Sequence, residues 1–267
     1  MDSPRRQKNR LILLLLLGAI AAGVPGTLRA GDALPFAPGE RLDFRVRWGI
    51  IPAARATLRV LPMTTVNGVP CYHFVATART RPLVDLFYKV RDRIDAYCDA
   101  RMTRSLFYRE RRLARKEKNV TVSFDWKHRV ARYSRNGKKR APVALLPGTF
   151  DPLSIFYAFR LAVLTEGGEI DRPVSDGKKC VMGKARVIRK ERIRVPCGTF
   201  ATYLVEPDLA HIGGVFKKSR GAKLRIWVSA DRRRIPVRIK SRVSVGSFVA
   251  DLVSRRFPAG PGEGPAR

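Results

Sequence analysis

The chain lacks the local signatures that announce a chemistry. It has no Gly-x-Ser-x-Gly elbow and no His-Glu-x-x-His pair. Gly213-Gly214-Val215-Phe216-Lys217-Lys218-Ser219 has no glycine directly before its lysines, which a phosphate-cradling loop requires. The three histidines, His73, His128 and His211, stand alone and the four cysteines form no Cys-x-x-Cys, so neither a metal site nor a cofactor is expected. No repeat period is visible, which disfavours a propeller or a solenoid. Acid is scarce as well, with 22 Asp and Glu against 54 Lys and Arg. Asp92, Asp95 and Asp99 alternate among basic residues and read as surface charge balancing rather than as an acid-base pair. Asp151 and Ser154 lie close enough to suggest a hydrolase, the least favoured reading. Asp151 is more simply a helix cap, with Pro152 at the first helical position.

What the chain does have is a rhythm. In Arg41-Leu42-Asp43-Phe44-Arg45-Val46-Arg47-Trp48 and again in Pro236–Val245, apolar residues alternate with residues that are mostly Arg or Lys. A period of two puts Leu42, Phe44, Val46 and Trp48 on one face of a strand and the charges on the other. The fold expected is mainly β, a large curved antiparallel sheet that is either barrel-like or two-layered, with the arginines outward. Strands are predicted near 41–49, 53–61, 70–80, 89–98, 104–114, 117–126 and 129–135. After one short helix near 151–164 they resume at 179–188, 190–196, 199–206, 223–229, 235–245 and 247–253. Asn67-Gly68 and Asn136-Gly137 mark hairpin turns.

The ends read differently. Arg5, Arg6, Lys8 and Arg10 precede an apolar run from Leu11 to Val24, and Pro25-Gly26 leads to Leu28-Arg29-Ala30. This is the layout of a secretory signal helix over residues 1–30, with cleavage expected after Ala30, and no cysteine follows to carry a lipid anchor. Residues 31–256 then form a single β domain, and the Pro- and Gly-rich 257–267 a disordered tail. Taking the leader's five basic residues and one acid from 54 and 22 leaves 49 against 21, a net charge of +28. An exported chain so charged attracts anionic lipid, lipopolysaccharide or acidic glycan and associates with membrane surfaces. Nucleic acid is not an expected partner in that compartment.

Export also places the cysteines in an oxidising compartment. Four cysteines allow three pairings. Cys71 and Cys98 are equidistant from the stretch Pro82 to Phe87, so a hairpin centred there favours Cys71–Cys98 and Cys180–Cys197. The expected location is periplasmic, with peripheral membrane association. The expected role is non-enzymatic: binding an amphipathic or anionic envelope component such as a lipid or glycolipid. The inward aromatics Phe44, Trp48, Phe74, Phe124, Trp126 and Trp227 are candidates to line its site, and the basic loop residues Lys217, Lys218 and Arg220 are candidates to meet an anionic group. The alternative is an envelope scaffold or assembly protein acting through its basic surface.

Several blocks carry a family resemblance. They are Pro35-Phe36-Ala37-Pro38-Gly39-Glu40-Arg41-Leu42-Asp43-Phe44 followed by Trp48-Gly49; Asp151-Pro152-Leu153-Ser154 with Tyr157 and Arg160; and Ile226-Trp227-Val228 with Asp231, Ile235-Pro236-Val237 and Gly246-Ser247. In this order, over about residues 35 to 253, the chain resembles the bacterial family called domain of unknown function 3108. The resemblance implies an exported envelope protein with a mainly β fold. It supplies no activity and no catalytic residue.

Overall fold

The computed structural model of the chain describes residues 34–87, 89–113, 117–209, 221–244 and 246–258. The signal segment, Lys217, Lys218, Arg220 and the tail beyond Pro258 lie outside them. Among the described residues fifteen strands pair into one antiparallel sheet. A first meander comprises β1 (Arg41–Trp48), β2 (Ile51–Val66), β3 (Val69–Thr80), β4 (Arg91–Asp99), β5 (Ser105–Leu113), β6 (Glu117–Asp125), β7 (Val130–Arg135), β8 (Lys138–Lys139) and β9 (Val143–Ala144). A second comprises β10 (Glu169–Ser175), β11 (Cys180–Val195), β12 (Gly198–Pro207), β13 (Lys223–Ser229), β14 (Pro236–Val243) and β15 (Gly246–Arg256). The last strand pairs with the first, and this joins the two meanders into one sheet.

Turn chemistry fixes the hairpins. Asn67-Gly68 and Asn136-Gly137 both take positive φ at both residues, the geometry that matches the twist of the flanking strands. In β1 the rhythm holds: Leu42, Phe44 and Val46 are buried while Arg41 and Arg45 are exposed. The sheet curls around these inward residues. Thr149 and Phe150 link β5 of the first meander to β10, the edge strand of the second: the Ser105 N–H donates to the Thr149 carbonyl (3.1 Å), the Phe150 N–H to the Pro173 carbonyl (3.0 Å) and the Ser175 N–H to the Phe150 carbonyl (2.9 Å).

Between the meanders the chain makes α2 (Ser154–Phe159), all six residues of which are buried; a one-turn α1 (Pro82–Asp85) sits earlier, between β3 and β4. One Asp151 carboxylate oxygen accepts from the N–H groups of Leu153 (2.8 Å) and Ser154 (2.9 Å), and Ser105 Oγ donates to the other (2.5 Å). The acid is a cap, as its position suggests. The helix stops at Phe159, short of Leu164, because the N–H groups of Leu161 and Ala162 bond three residues back in tightened turns.

Four departures from the sequence reading have physical reasons. β10 contains Pro173 and shows no clean alternation, and an edge strand tolerates a proline because only one of its sides must donate. β11 runs unbroken through residue 189, where a bulge between Val187 and Arg189 absorbs Ile188. Phe257, assigned to the tail, packs against the core beneath the Arg233 guanidinium, 3.8 Å from its ring. The fourth concerns sulfur: all four cysteines are free. β3 and β4 pair Cys71 with Asp99 and Tyr72 with Cys98, so the hairpin register is offset by one residue and puts the two thiols on opposite faces. Cys180 opens β11 and Cys197 follows its far end, about 50 Å away at some 3.3 Å per residue.

Candidate functional site

The inner face is mostly apolar, and one cluster of four charged side chains interrupts it. Ile94 and Ala96 of β4, Tyr108 of β5 and Val120 of β6 belong to the core, so Asp92, Glu110 and Lys118, two residues from them, and Arg112, four from Tyr108, also point inward. Asp92, Glu110 and Arg112 are buried, and Lys118 remains 21% exposed. Glu110 is paired with the Arg112 guanidinium and accepts from Lys118 Nζ at 3.2 Å. Asp92 faces Arg112 at 3.8 Å, and its Oδ2 accepts no hydrogen bond. This corrects two expectations: Arg112 does not point to solvent, and Asp92 is not surface charge balancing. The run Arg109-Glu110-Arg111-Arg112 is charged at every position, so the period of two carries no sign of which pair turns inward.

The two carboxylates respond oppositely. Burial raises the Asp92 carboxyl to about 6, with the Glu110 charge adding to the rise and Arg112 and Lys118 opposing it. Burial also pushes Glu110 up, but Arg112 and Lys118 outweigh it and hold that carboxyl below its usual range. The difference follows from hydrogen bonding, which Glu110 receives and Asp92 Oδ2 does not. Because the folded state holds the Asp92 proton more tightly than the unfolded chain, stability falls as pH rises from about 4 to about 6. Asp92→Asn should therefore stabilise the protein by up to about 3 kcal/mol above pH 6, with the gain vanishing below pH 4. Urea unfolding of both proteins across this range checks it, and a variant less stable at neutral pH would show that Asp92 is a needed partner for Arg112.

The aromatic candidates divide. Phe44, Phe74 and Phe124 face the interior. Phe74 stacks on Tyr157 of α2 at 3.9 Å, with Phe36 and Tyr72 packed around them, so at this level the space inside the sheet is taken by side chains. Trp126 is half-buried, and its Nε1 donates to the Ser105 carbonyl at 2.7 Å. Trp48 and Trp227 are not interior. Trp48 is 41% exposed and stacks on Phe248 at the strand end, where β1 turns into β2. Trp227 lies on the outer face between the inward Ile226 and Val228, and its Nε1 donates to a Glu191 carboxylate at 2.7 Å. A strand whose outer position is covered reads as a continuous apolar run, and such a run hides its direction.

Beyond the Asp92 cluster lies a second buried charge site. Arg160, just after α2, donates from Nη1 and Nη2 to the two Glu40 oxygens at 2.5 and 2.8 Å. It also donates from Nη2 to the Pro35 carbonyl (2.7 Å) and from Nε to the Arg233 carbonyl (2.9 Å). The blocks around Pro35–Glu40, Asp151–Arg160 and Asp231–Ile235, far apart in sequence, thus meet around α2. Their role is to seat the helix in the curl of the sheet. Outside, Asp95 is pushed up by burial, yet hydrogen bonds from Arg93 and His73 hold it well below the usual carboxylate range. Among the described residues no group of three His, Cys, Asp or Glu could hold a metal ion.

A single curled antiparallel sheet wound on an internal helix, with two buried ionic sites among the described residues, defines a β-meander fold. The chain belongs to the family described as proteins of unknown function DUF3108, whose family model matches residues 43–253. No curated protein matches it. Among solved structures it is similar to a beta-barrel-like protein of domain of unknown function DUF1849 from Brucella abortus. The TM-score is 0.49 at 10% identity, covering 82% of this chain and 97% of that one. It is also similar to a candidate exported protein with a YmcC-like fold from Bacteroides fragilis, with TM-score 0.32, 9% identity and 84% and 98% of the chains covered. A third is a candidate lipoprotein from Parabacteroides distasonis, with TM-score 0.33, 11% identity and 84% and 97% covered.

Proposed function

We propose that this is an exported, non-enzymatic envelope protein that binds an amphipathic molecule with an anionic head group. The leader-like order of residues 5–30 supports export. The observation that carries the binding is the Asp92–Glu110–Arg112–Lys118 cluster on a mostly apolar inner face. Buried charge costs stability, and an equivalent apolar cluster would be cheaper, so the cluster points to use rather than to folding. Arg112 offers the planar fork that suits phosphate or carboxylate, Lys118 reaches solvent beside it, and apolar neighbours such as Tyr108 and Val120 suit a chain.

Organic extraction of the purified protein followed by mass spectrometry tests the reading. A lipid or glycolipid with an anionic head group should be recovered, and Arg112→Met should lower its recovery roughly tenfold, the worth of one charge-assisted hydrogen bond. Extracts free of any amphiphile across several preparations would end it.

A further inference from the structure

One edge of the sheet carries a surface that neither the fold nor the inner cluster requires. The turn between β1 and β2 and the α1 connection between β3 and β4 lie side by side, since Ala54 pairs with Thr80 and the Arg81 N–H donates to the Ala53 carbonyl at 3.0 Å. Both tips are apolar and bare. Ile50 is 92% exposed, Leu83 79%, Leu86 78% and Phe87 87%, with Ile51 and Trp48 half exposed beside them. Isolated exposed apolar residues are ordinary, but six on two adjoining tips mark an interaction site.

Beneath the tips runs a ladder of like charge. The register places Arg45 opposite Arg55, Arg55 opposite Arg79 and Arg79 opposite Arg91, across four consecutive strands on the outer face. Like charges directly opposed destabilise a sheet. Arg91 is neutralised by Asp85 of α1. Arg45, Arg55 and Arg79 are exposed and form no ion pair among the described residues; Asp251, opposite Arg45 on β15, is taken by Arg47 and Arg238, whereas Arg93 and Arg111 on the same face share Asp95. Three residues separate Arg45 from Trp48 and Arg79 from Pro82, so the tips stand about 10 Å beyond the ladder at some 3.3 Å per residue. This is close to the depth, roughly 5–10 Å, to which interfacial apolar groups sink below lipid head groups.

We infer that this edge docks on an anionic phospholipid bilayer, the α1 and β1–β2 tips entering the interface while Arg45, Arg55 and Arg79 meet lipid phosphates. An acidic protein would satisfy the arginines but gives no reason for bare apolar tips projecting beyond them. The inference stands whether or not the inner face holds a ligand, because extraction reads one and vesicle binding the other.

The test is co-sedimentation of the exported protein with vesicles of phosphatidylcholine alone or with added phosphatidylglycerol. Comparing variants of one chain cancels any contribution from residues outside the described set. The protein should bind the phosphatidylglycerol vesicles, more weakly as salt rises, with a blue shift of Trp48 emission. L83S/L86S/F87S should weaken binding at least tenfold, as should R45Q/R55Q/R79Q, while V163S, exposed elsewhere, should change nothing. Circular dichroism checks each fold, and if the arginine triple does not fold, the salt dependence of the unaltered protein reads the same contribution. Absence of binding overturns the inference. So does binding that the tip triple leaves unchanged, which would be adsorption of a basic protein without insertion.

Discussion

Arg160→Met should cost the protein about 3–5 kcal/mol, a fall in melting temperature on the order of 10 °C for a domain of this size. Arg160 and Glu40 are each 1% exposed, and the guanidinium donates to both Glu40 oxygens and to the Pro35 and Arg233 carbonyls. It also lies 5.3 Å from the Phe36 ring centre and 5.5 Å from that of Tyr157. Removing it strands a buried carboxylate and frees the strap before β1, α2 and the β13–β14 turn from one another. Glu40→Leu together with Arg160→Met should cost markedly less than the sum of the single changes, because the double variant leaves no orphan charge. Additive losses in thermal unfolding would mean that the ion pair does not hold the helix in place.

Phe74→Ala should be comparably damaging, at about 3–5 kcal/mol. Its ring is fully buried and touches the three rings that join the sheet to the helix: Tyr157 stacked at 3.9 Å, Tyr72 at 5.8 Å and Phe36 edge-on at 5.5 Å. Neither sheet nor α2 can close the resulting gap without losing the Arg160 geometry next to it. A neighbouring change should go the other way. Tyr157 Oη is buried and makes no hydrogen bond, so Tyr157→Phe removes an unsatisfied group and should be neutral or stabilising by about 1 kcal/mol. Urea midpoints for both variants decide the matter, and a loss below about 1 kcal/mol for Phe74→Ala would place the helix outside the cooperative core.

The sheet was legible because alternation is a direct image of burial: β1 writes Leu42, Phe44 and Val46 on one face, and the fold buries all three. Legibility failed where that image is blank. Arg109 to Arg112 are all charged, so nothing in the sequence separates the inward Glu110 and Arg112 from the outward pair. Only register against Ile94 and Ala96 does so. Trp227 sits in an apolar run and looks inward for the same reason, although an outer-face carboxylate claims it. The thiols show how sharp the limit is. A hairpin centre misjudged by half a residue moves Cys98 from beside Cys71 to the opposite face. The arginine ladder was equally hidden, since Arg45, Arg55, Arg79 and Arg91 acquire meaning only when four strands are laid in register.

Arginine footprinting of the folded, unaltered protein with an arginine-selective dicarbonyl reagent, read by mass spectrometry, tests the sorting of charge by face most directly. Arg112 and Arg160 should stay unmodified while Arg45, Arg55, Arg79, Arg109 and Arg111 react, and all should react once the chain is unfolded. Modification of Arg112 and Arg160 as fast as that of Arg109 and Arg111 in the folded protein would contradict the inward ionic cluster and the seating of the helix together.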